Sequence, residues 1–342
     1  MSAASEAPLL EAKSCSIVVG GLKALTDFNL QVRKKDLLGL IGPNGAGKTT
    51  AFNVLTGVYK PTSGKVYLSG TRVNGRPVYK INRLGAARTF QNIRLFKELS
   101  AIDNVKVACL AETSPIFSSG IISNIEAAAT EREDRHEEWL AQLSPAMKVV
   151  DRVLRHIPFS GFSRDFYGPV FYRRAIAGGF DAFNNYYDWW RALAKTPGFL
   201  REEQQITQRA EHLLEVMGLS HRRDEEARNL PYGEQRRLEI ARALGTNPKV
   251  LLLDEPAAGM NTGEKAELMV LIRKLRDQFD LGILVIEHDM KLVMGICEKI
   301  IVLDHGETIS VGTGAEVRAD RKVIEAYLGD SYLESHGTGA AR

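Results

Sequence analysis

Gly42-Pro43-Asn44-Gly45-Ala46-Gly47-Lys48-Thr49-Thr50 follows directly on the apolar run Leu37-Leu38-Gly39-Leu40-Ile41, and this junction decides the fold. Glycines at the first and sixth places let the backbone bend so that successive N–H groups point into one cavity. Lys48 then reaches the outer phosphates of a nucleotide, and Thr49 offers its hydroxyl to Mg²⁺. The apolar run predicts a strand that ends at the cradle. The residues after it predict a helix whose positive end faces the phosphates. Gly42, Asn44, Gly45, Ala46, Gly47, Lys48, Thr49 and Thr50 are therefore candidate nucleotide contacts.

The chain has 342 residues, 44% hydrophobic and 25% charged, enough for one sizeable core and a second lobe. Forty-five basic against 42 acidic side chains leave a net charge of +3. That is no electrostatic footprint for nucleic acid, which is not expected as a partner. Apolar runs fall far short of the roughly 20 residues that cross a bilayer, and the N-terminus lacks signal-peptide features, so the expected location is the cytosol. Cys15, Cys109 and Cys297 are widely spaced and odd in number, which fits reduced thiols.

Outward from the junction, Ser16 to Val19 and Leu25 to Val32 read as strands, and Lys65 to Leu68 with Gly70 as a hairpin. Val250 to Leu253, Ile283 to Ile286, Ile300 to Leu303 and Thr308 to Val311 are further strands. Helices are expected from Ile102, across Ile206 to Met217 ending at Gly218, from Tyr232, and near Val323 to Leu328. The pattern implies an α/β nucleotide core over 14–100 and 245–330 with a helical lobe over 101–244. Loose ends are expected at 1–13 and 331–342. Between about 113 and 190 the core pattern disappears. Glu131 to Glu138 is a charge run, Ser144-Pro145 caps a helix stopped at Pro158, and 159–190 hold 12 of the chain's 26 aromatics.

Phosphoryl transfer to water needs a metal, neutralised phosphates and a group that orients the water. Asp254 ends an apolar strand, where open α/β sheets bind ligands, and is the candidate for Mg²⁺. Glu255 beside it is the candidate general base or water-positioning group. His288 also ends a buried strand and is placed to reach the γ-phosphate. Gln91 has meaning only as one member of an ordered set.

That set resembles the ABC transporter ATPase family. The Walker A run Gly42 to Thr50, the Q-loop Gln91, the signature region Leu230 to Gln235, Walker B Leu251 to Glu255 and the switch His288 occur in the family's order. Ala257 to Asn261, Ile286 to Met294 and Glu325 to Gly329 resemble in particular the LivG-type branch, the ATPases of branched-chain amino acid importers. The resemblance implies a P-loop NTPase core, RecA-like with a mixed sheet and an antiparallel β subdomain, plus an α-helical lobe that an insertion at about 113–190 enlarges. It implies an ATPase with ATP and Mg²⁺, Gln91 touching the metal, and Lys48, Gln91 and His288 serving catalysis with Glu255. It further implies ATP shared between the Walker A of one subunit and Tyr232, Gly233, Glu234 and Gln235 of a second ATPase subunit, the same or different. Two transmembrane permease subunits and a periplasmic or extracellular substrate-binding protein complete the implied assembly, with this chain on the inner face of the membrane.

Two positions depart from the family pattern. Val19 stands where an aromatic usually stacks on adenine, so base contact is expected to be apolar and weaker. Pro231 replaces the signature serine and offers neither a hydroxyl nor an N–H, from which a heterodimer with unequal sites is expected. The aromatic and arginine-rich part of the insertion is expected either to pack as a satellite core or to meet the permeases or lipid. Rival readings are an importer ATPase for urea or another polar solute, a non-transport ABC protein acting on DNA or ribosomes, and a nucleotide-dependent regulator.

Overall fold

The computed structural model describes residues 7–113 and 197–328. The chain divides into two compact units, 1–109 with 207–342 and 110–206, and the nucleotide-site candidates all fall in the first. The stretch 114–196, which holds most of the expected insertion, lies outside the described residues, as do the tail from 329 and the first six residues.

The strands are β1 Leu10–Val19, β2 Leu22–Val32, β3 Leu37–Ile41, β4 Ser63–Leu68, β5 Thr71–Arg72, β6 Ala86–Arg88, β7 Val250–Asp254, β8 Gly282–Ile286, β9 Lys299–Asp304 and β10 Glu307–Gly312. The helices are α1 Lys48–Leu55, α2 Val78–Arg83, α3 Ala101–Thr113, α4 Pro197–Val216, α5 Tyr232–Gly245, α6 Thr262–Gln278, α7 Met290–Ile296, α8 Gly314–Ala319 and α9 Arg321–Leu328. Six strands form one sheet in the order β10-β9-β3-β8-β7-β6, and β2-β1-β4-β5 form a second, antiparallel one. In the larger sheet only β10 runs antiparallel to its neighbour. This is the expected P-loop architecture, a mixed sheet with an antiparallel β subdomain.

The central strands read as continuous apolar runs because both faces are covered. β3, β7 and β8 are buried at every position, as parallel strands between layers must be. β10 at the edge is half-exposed. α7 approaches β3 closely at Gly39, where a Cβ would stand 2.4 Å from Val293 Cγ1. Helix ends follow local chemistry: Asn261 and Glu264 form a capping box on α6, Thr313 and Glu316 one on α8, and the Asp289 side chain caps α7. Gly218, in the left-handed region at φ 71°, ends α4, with Leu219 N donating to Leu214 O.

Two expectations shift. β1 begins at Leu10, inside the stretch expected to be loose, because Leu10 is fully buried and pairs with both Val32 and Leu68. The edge strand β6 has no counterpart in the sequence reading. Its three residues align with β7 from Ala86 opposite Val250 to Arg88 opposite Leu252, a run too short to show periodicity. Among the described residues no helix is long and apolar enough to cross a membrane.

Candidate active site

β3 delivers the chain into the cradle, and α1 carries it away. Gly42 lies on the floor: a Cβ there would stand 2.1 Å from the Leu303 carbonyl oxygen at the end of β9. Gly47, at φ 97°, precedes the first turn of α1, and a Cβ there would stand 2.8 Å from the Ala24 carbonyl oxygen. Both positions need glycine for space as well as conformation. The loop is also tied to its neighbours, since Gly306 N donates to Ala46 O at 3.0 Å and Thr26 N donates to Gly306 O at 2.7 Å. Asn44, Gly45 and Thr49 are exposed, Thr50 half-buried and Ala46 buried.

Lys48 is buried and folded back on its own loop. Its Nζ donates to Gly42 O at 2.7 Å and Pro43 O at 2.8 Å. Burial lowers its pKa, opposed by the nearby Glu255 and Asp254 carboxylates. An ammonium held only by carbonyls is poised for stronger acceptors, and phosphate oxygens are such acceptors.

The ends of β7 and β8 supply the acidic side. Glu255 adopts φ 48°, left-handed for a non-glycine residue, while its N–H donates to Ile286 O at 2.9 Å. That bond over-determines the turn and aims the carboxylate out of the sheet end. Gln91 Nε2 donates to Glu255 Oε2 at 3.0 Å, and His288 Nε2 lies 2.5 Å from Glu255 Oε1. Gln91, Glu255 and His288, three residues distant in sequence, thus form one cluster. Glu287, adjacent and buried, accepts from Ala257 N at 2.8 Å. Burial raises its pKa against the backbone N–H groups of Ala257 and His288, with the Glu255 charge adding to the rise.

Asp254 is nearly buried and already holds a cation: Arg88 Nη2 donates to Asp254 Oδ2 at 2.7 Å. Arg88 Nη1 reaches Asn53 Oδ1 of α1 at 2.7 Å, and the guanidinium lies 5.4 Å from the Phe52 ring centroid. The oxygen-bearing side chains Thr49, Asp254 and Gln91, with Asp254 the one carboxylate among them, suit Mg²⁺, a hard cation that takes oxygen ligands and is usually bound through one or two carboxylates plus phosphate oxygens. Among the described residues no three His, Cys, Asp or Glu side chains converge as a separate metal centre.

The signature region opens α5, with Pro231 as N-cap at φ −53° and its carbonyl accepting from Gln235 N at 2.9 Å. That carbonyl takes the first intrahelical bond, but proline has no side-chain acceptor, so no side chain caps the N–H groups of the first turn. Tyr232 is exposed and lies against Gly259, and Gly233 lies beside Glu264. Glu234 faces Arg222 Nε at 3.1 Å, and Gln235 Nε2 donates to Leu230 O at 2.8 Å, so both side chains are engaged locally. Val19 ends β1, paired with Leu22. Its side chain lies outside the described residues, and what stands against the cradle from β2 is Ala24.

The sequence reading missed Arg88, Glu287, and the buried pair Arg236 and Glu239 on α5. Nothing in the pattern of α5 announces the last: at helical spacing Arg236 and Glu239 fall on the side opposite the apolar stripe of Leu238, Ala241 and Leu244, where a charged pair reads as solvated.

A family model described as ABC transporter matches residues 25–258, and one described as branched-chain amino acid ATP-binding cassette transporter matches 307–332. The chain is 37% identical to the high-affinity branched-chain amino acid transport ATP-binding protein BraF of Pseudomonas aeruginosa, the match covering 95% of this chain and 99% of BraF. It is 38% identical to the LivG protein of the same description from Salmonella typhimurium, with the same coverage. A crystal structure of a nucleotide-free ATP-binding cassette from an ABC transporter superposes with a TM-score of 0.63 at 24% identity, over 94% of this chain and all of the other. A cradle on β3, a carboxylate cluster on β7 and β8 and a family match across 25–258 lead to one conclusion: the chain belongs to the ABC transporter family.

Proposed function

We propose that this chain is the ATP-binding and ATP-hydrolysing subunit of an importer for branched-chain amino acids. The observation that carries the hydrolytic role is Glu255, a carboxylate on a left-handed backbone turn at a strand end, held by one donor from Gln91 and one from His288. The amino acid assignment is supported by the full-length likeness to BraF and LivG and by the C-terminal match at 307–332.

In this reading the cradle amides and Lys48 take the phosphates of ATP, Lys48 exchanging the Gly42 and Pro43 carbonyls for phosphate oxygens. Thr49, Asp254 and Gln91 would hold Mg²⁺, which when bound neutralises phosphate charge. Glu255 accepts the proton of the attacking water. Both its oxygens are engaged, so one donor gives way first. His288, 46% exposed at its side chain, has the freer path outward, toward the γ-phosphate.

Tyr232, Gly233, Glu234 and Gln235 face the ATP of a second ATPase subunit, and Val19 lies near the base. The assembly includes two permease subunits and an external binding protein, with this chain on the cytoplasmic face of the membrane. Glu255→Gln keeps the shape and removes the base, so steady ATP turnover falls about 10²–10⁴-fold while ATP binding is retained. Turnover within tenfold of the unaltered protein removes Glu255 from this role. For the cargo, cells lacking this chain should lose uptake of labelled leucine, isoleucine or valine; undiminished uptake of all three rejects the amino acid reading.

A further inference from the structure

Arg236 and Glu239 lie one turn apart on α5, and each side chain is 2% exposed. Arg236 Nη1 donates to Glu239 Oε2 at 3.1 Å. A buried pair of this kind adds little stability over apolar residues of the same volume, so its value lies in what the remaining donors and acceptors hold. Arg236 Nη1 also donates to Phe90 O at 2.7 Å, and Nη2 donates to Gln91 O and to the Tyr232 hydroxyl. Glu239 Oε1 accepts from Arg94 N at 3.3 Å, and the Arg94 guanidinium stacks 4.0 Å from the Phe90 ring centroid. The segment 90–94 is thus clamped by its carbonyls at one end and by an amide at the other. The clamp stands on the helix that opens with the signature residues.

We propose that Arg236, held by Glu239, is a positioning residue that fixes the 90–94 segment to α5, so that the reach of Gln91 onto Glu255 is set by where the signature helix sits. Contacts are continuous from Tyr232 through Arg236 and the Gln91 carbonyl to the Gln91 side chain and Glu255 Oε2. A subunit whose signature end is drawn toward a partner's nucleotide then moves Gln91, the side chain that holds Glu255 in its own site. This rests on the hydrolytic reading above.

Removing Arg236 alone leaves Glu239 buried and unpaired, which threatens folding. The test is therefore the double variant Arg236→Met with Glu239→Leu in the full chain, where apolar groups replace both charges. In the nucleotide-free protein, amide hydrogen exchange in peptides spanning 88–96 should rise at least tenfold, while peptides of β3 and α1 stay protected. In ATP hydrolysis kcat should fall roughly tenfold or more, with KM for ATP within twofold. Adding the double variant to Gln91→Ala should cost nothing further, because the clamp acts through Gln91. Glu239→Gln, which keeps an acceptor, should retain most activity. Unchanged exchange at 88–96, kcat within twofold of the unaltered protein, or full additivity with Gln91→Ala each overturn the proposal. A hydrolytic reading that is itself wrong shows up separately, as turnover surviving in Glu255→Gln.

Discussion

The cradle at the end of β3 and the carboxylate cluster at the ends of β7 and β8 sit on neighbouring strands of one sheet, yet they are built from opposite materials. In the cradle the working groups are backbone amides, and the side chains that matter are the absent ones: Gly42 and Gly47 leave space that a Cβ would fill. At the ends of β7 and β8 the working groups are side chains, held by other side chains from distant segments, as Gln91 and His288 hold Glu255 and Arg88 holds Asp254. At Gly42 and Gly47 the first half tolerates no added atom. The second half rests on side-chain partners, and above all on charge.

Gly42→Ala should break the first half and gives the largest effect. The new methyl overlaps a backbone oxygen that cannot rotate away, at a φ of 154° that is strained for other residues. A stability loss of about 3 kcal/mol or more is expected from overpacking and backbone strain together, read as a lowered urea midpoint, with ATP binding lost. A midpoint within experimental error of the unaltered protein would mean that β9 yields at Leu303 and that the cradle is not defined by exclusion.

Arg88→Met tests the second half. It leaves the Asp254 carboxylate nearly buried without its cation, a loss of about 3 kcal/mol by analogy with broken buried pairs. In the proposed reading the site offers a replacement, because Mg²⁺ with ATP would bring a cation to the same carboxylate. The drop in melting temperature should therefore be clearly smaller with MgATP than without it. Equal drops in the two conditions would show that Arg88 and the metal do not share Asp254.

The same contrast explains how far the sequence could be read. The cradle is legible because its requirements are local: glycine spacing, a lysine and a threonine within nine residues, between a strand and a helix. Asp254, Glu255 and His288 are legible by type and place, as acidic and imidazole groups ending apolar strands. Arg88, Arg236 and Glu239 are not, because their partners lie 145 residues or more away in the chain: Arg88 on Asp254, Arg236 on the Gln91 carbonyl, Glu239 on Arg94. Nothing in Arg88-Thr89-Phe90-Gln91 announces that its first residue crosses to β7. The start of β1 at Leu10 was hidden for a related reason. A single buried leucine after an Ala- and Ser-rich stretch carries no periodicity, and only pairing with Val32 and Leu68 makes it a strand.

Glu287→Gln gives the smallest effect and sharpens the comparison most finely, because it changes charge with almost no change of shape. Glu287 is buried beside Glu255, and burial lifts its pKa above the ordinary 4.5. For a group whose folded value is raised, the favourable contribution is complete below the unfolded pKa and is lost as pH rises through the folded one. Near neutrality the ionised carboxylate therefore works against the fold, offset by its bonds to the Ala257 and His288 amides. Glutamine keeps an oxygen for Ala257 N and removes the charge. Urea midpoints should then show the variant equal to or more stable than the unaltered protein at pH 8, by no more than about 1 kcal/mol, with the difference shrinking toward pH 5. A variant that is less stable at pH 8 by more than this would show that the Glu287 charge is what holds Ala257 and His288 in place. The β7 and β8 ends would then depend on charge in their supporting residues as well as in the groups that meet the nucleotide.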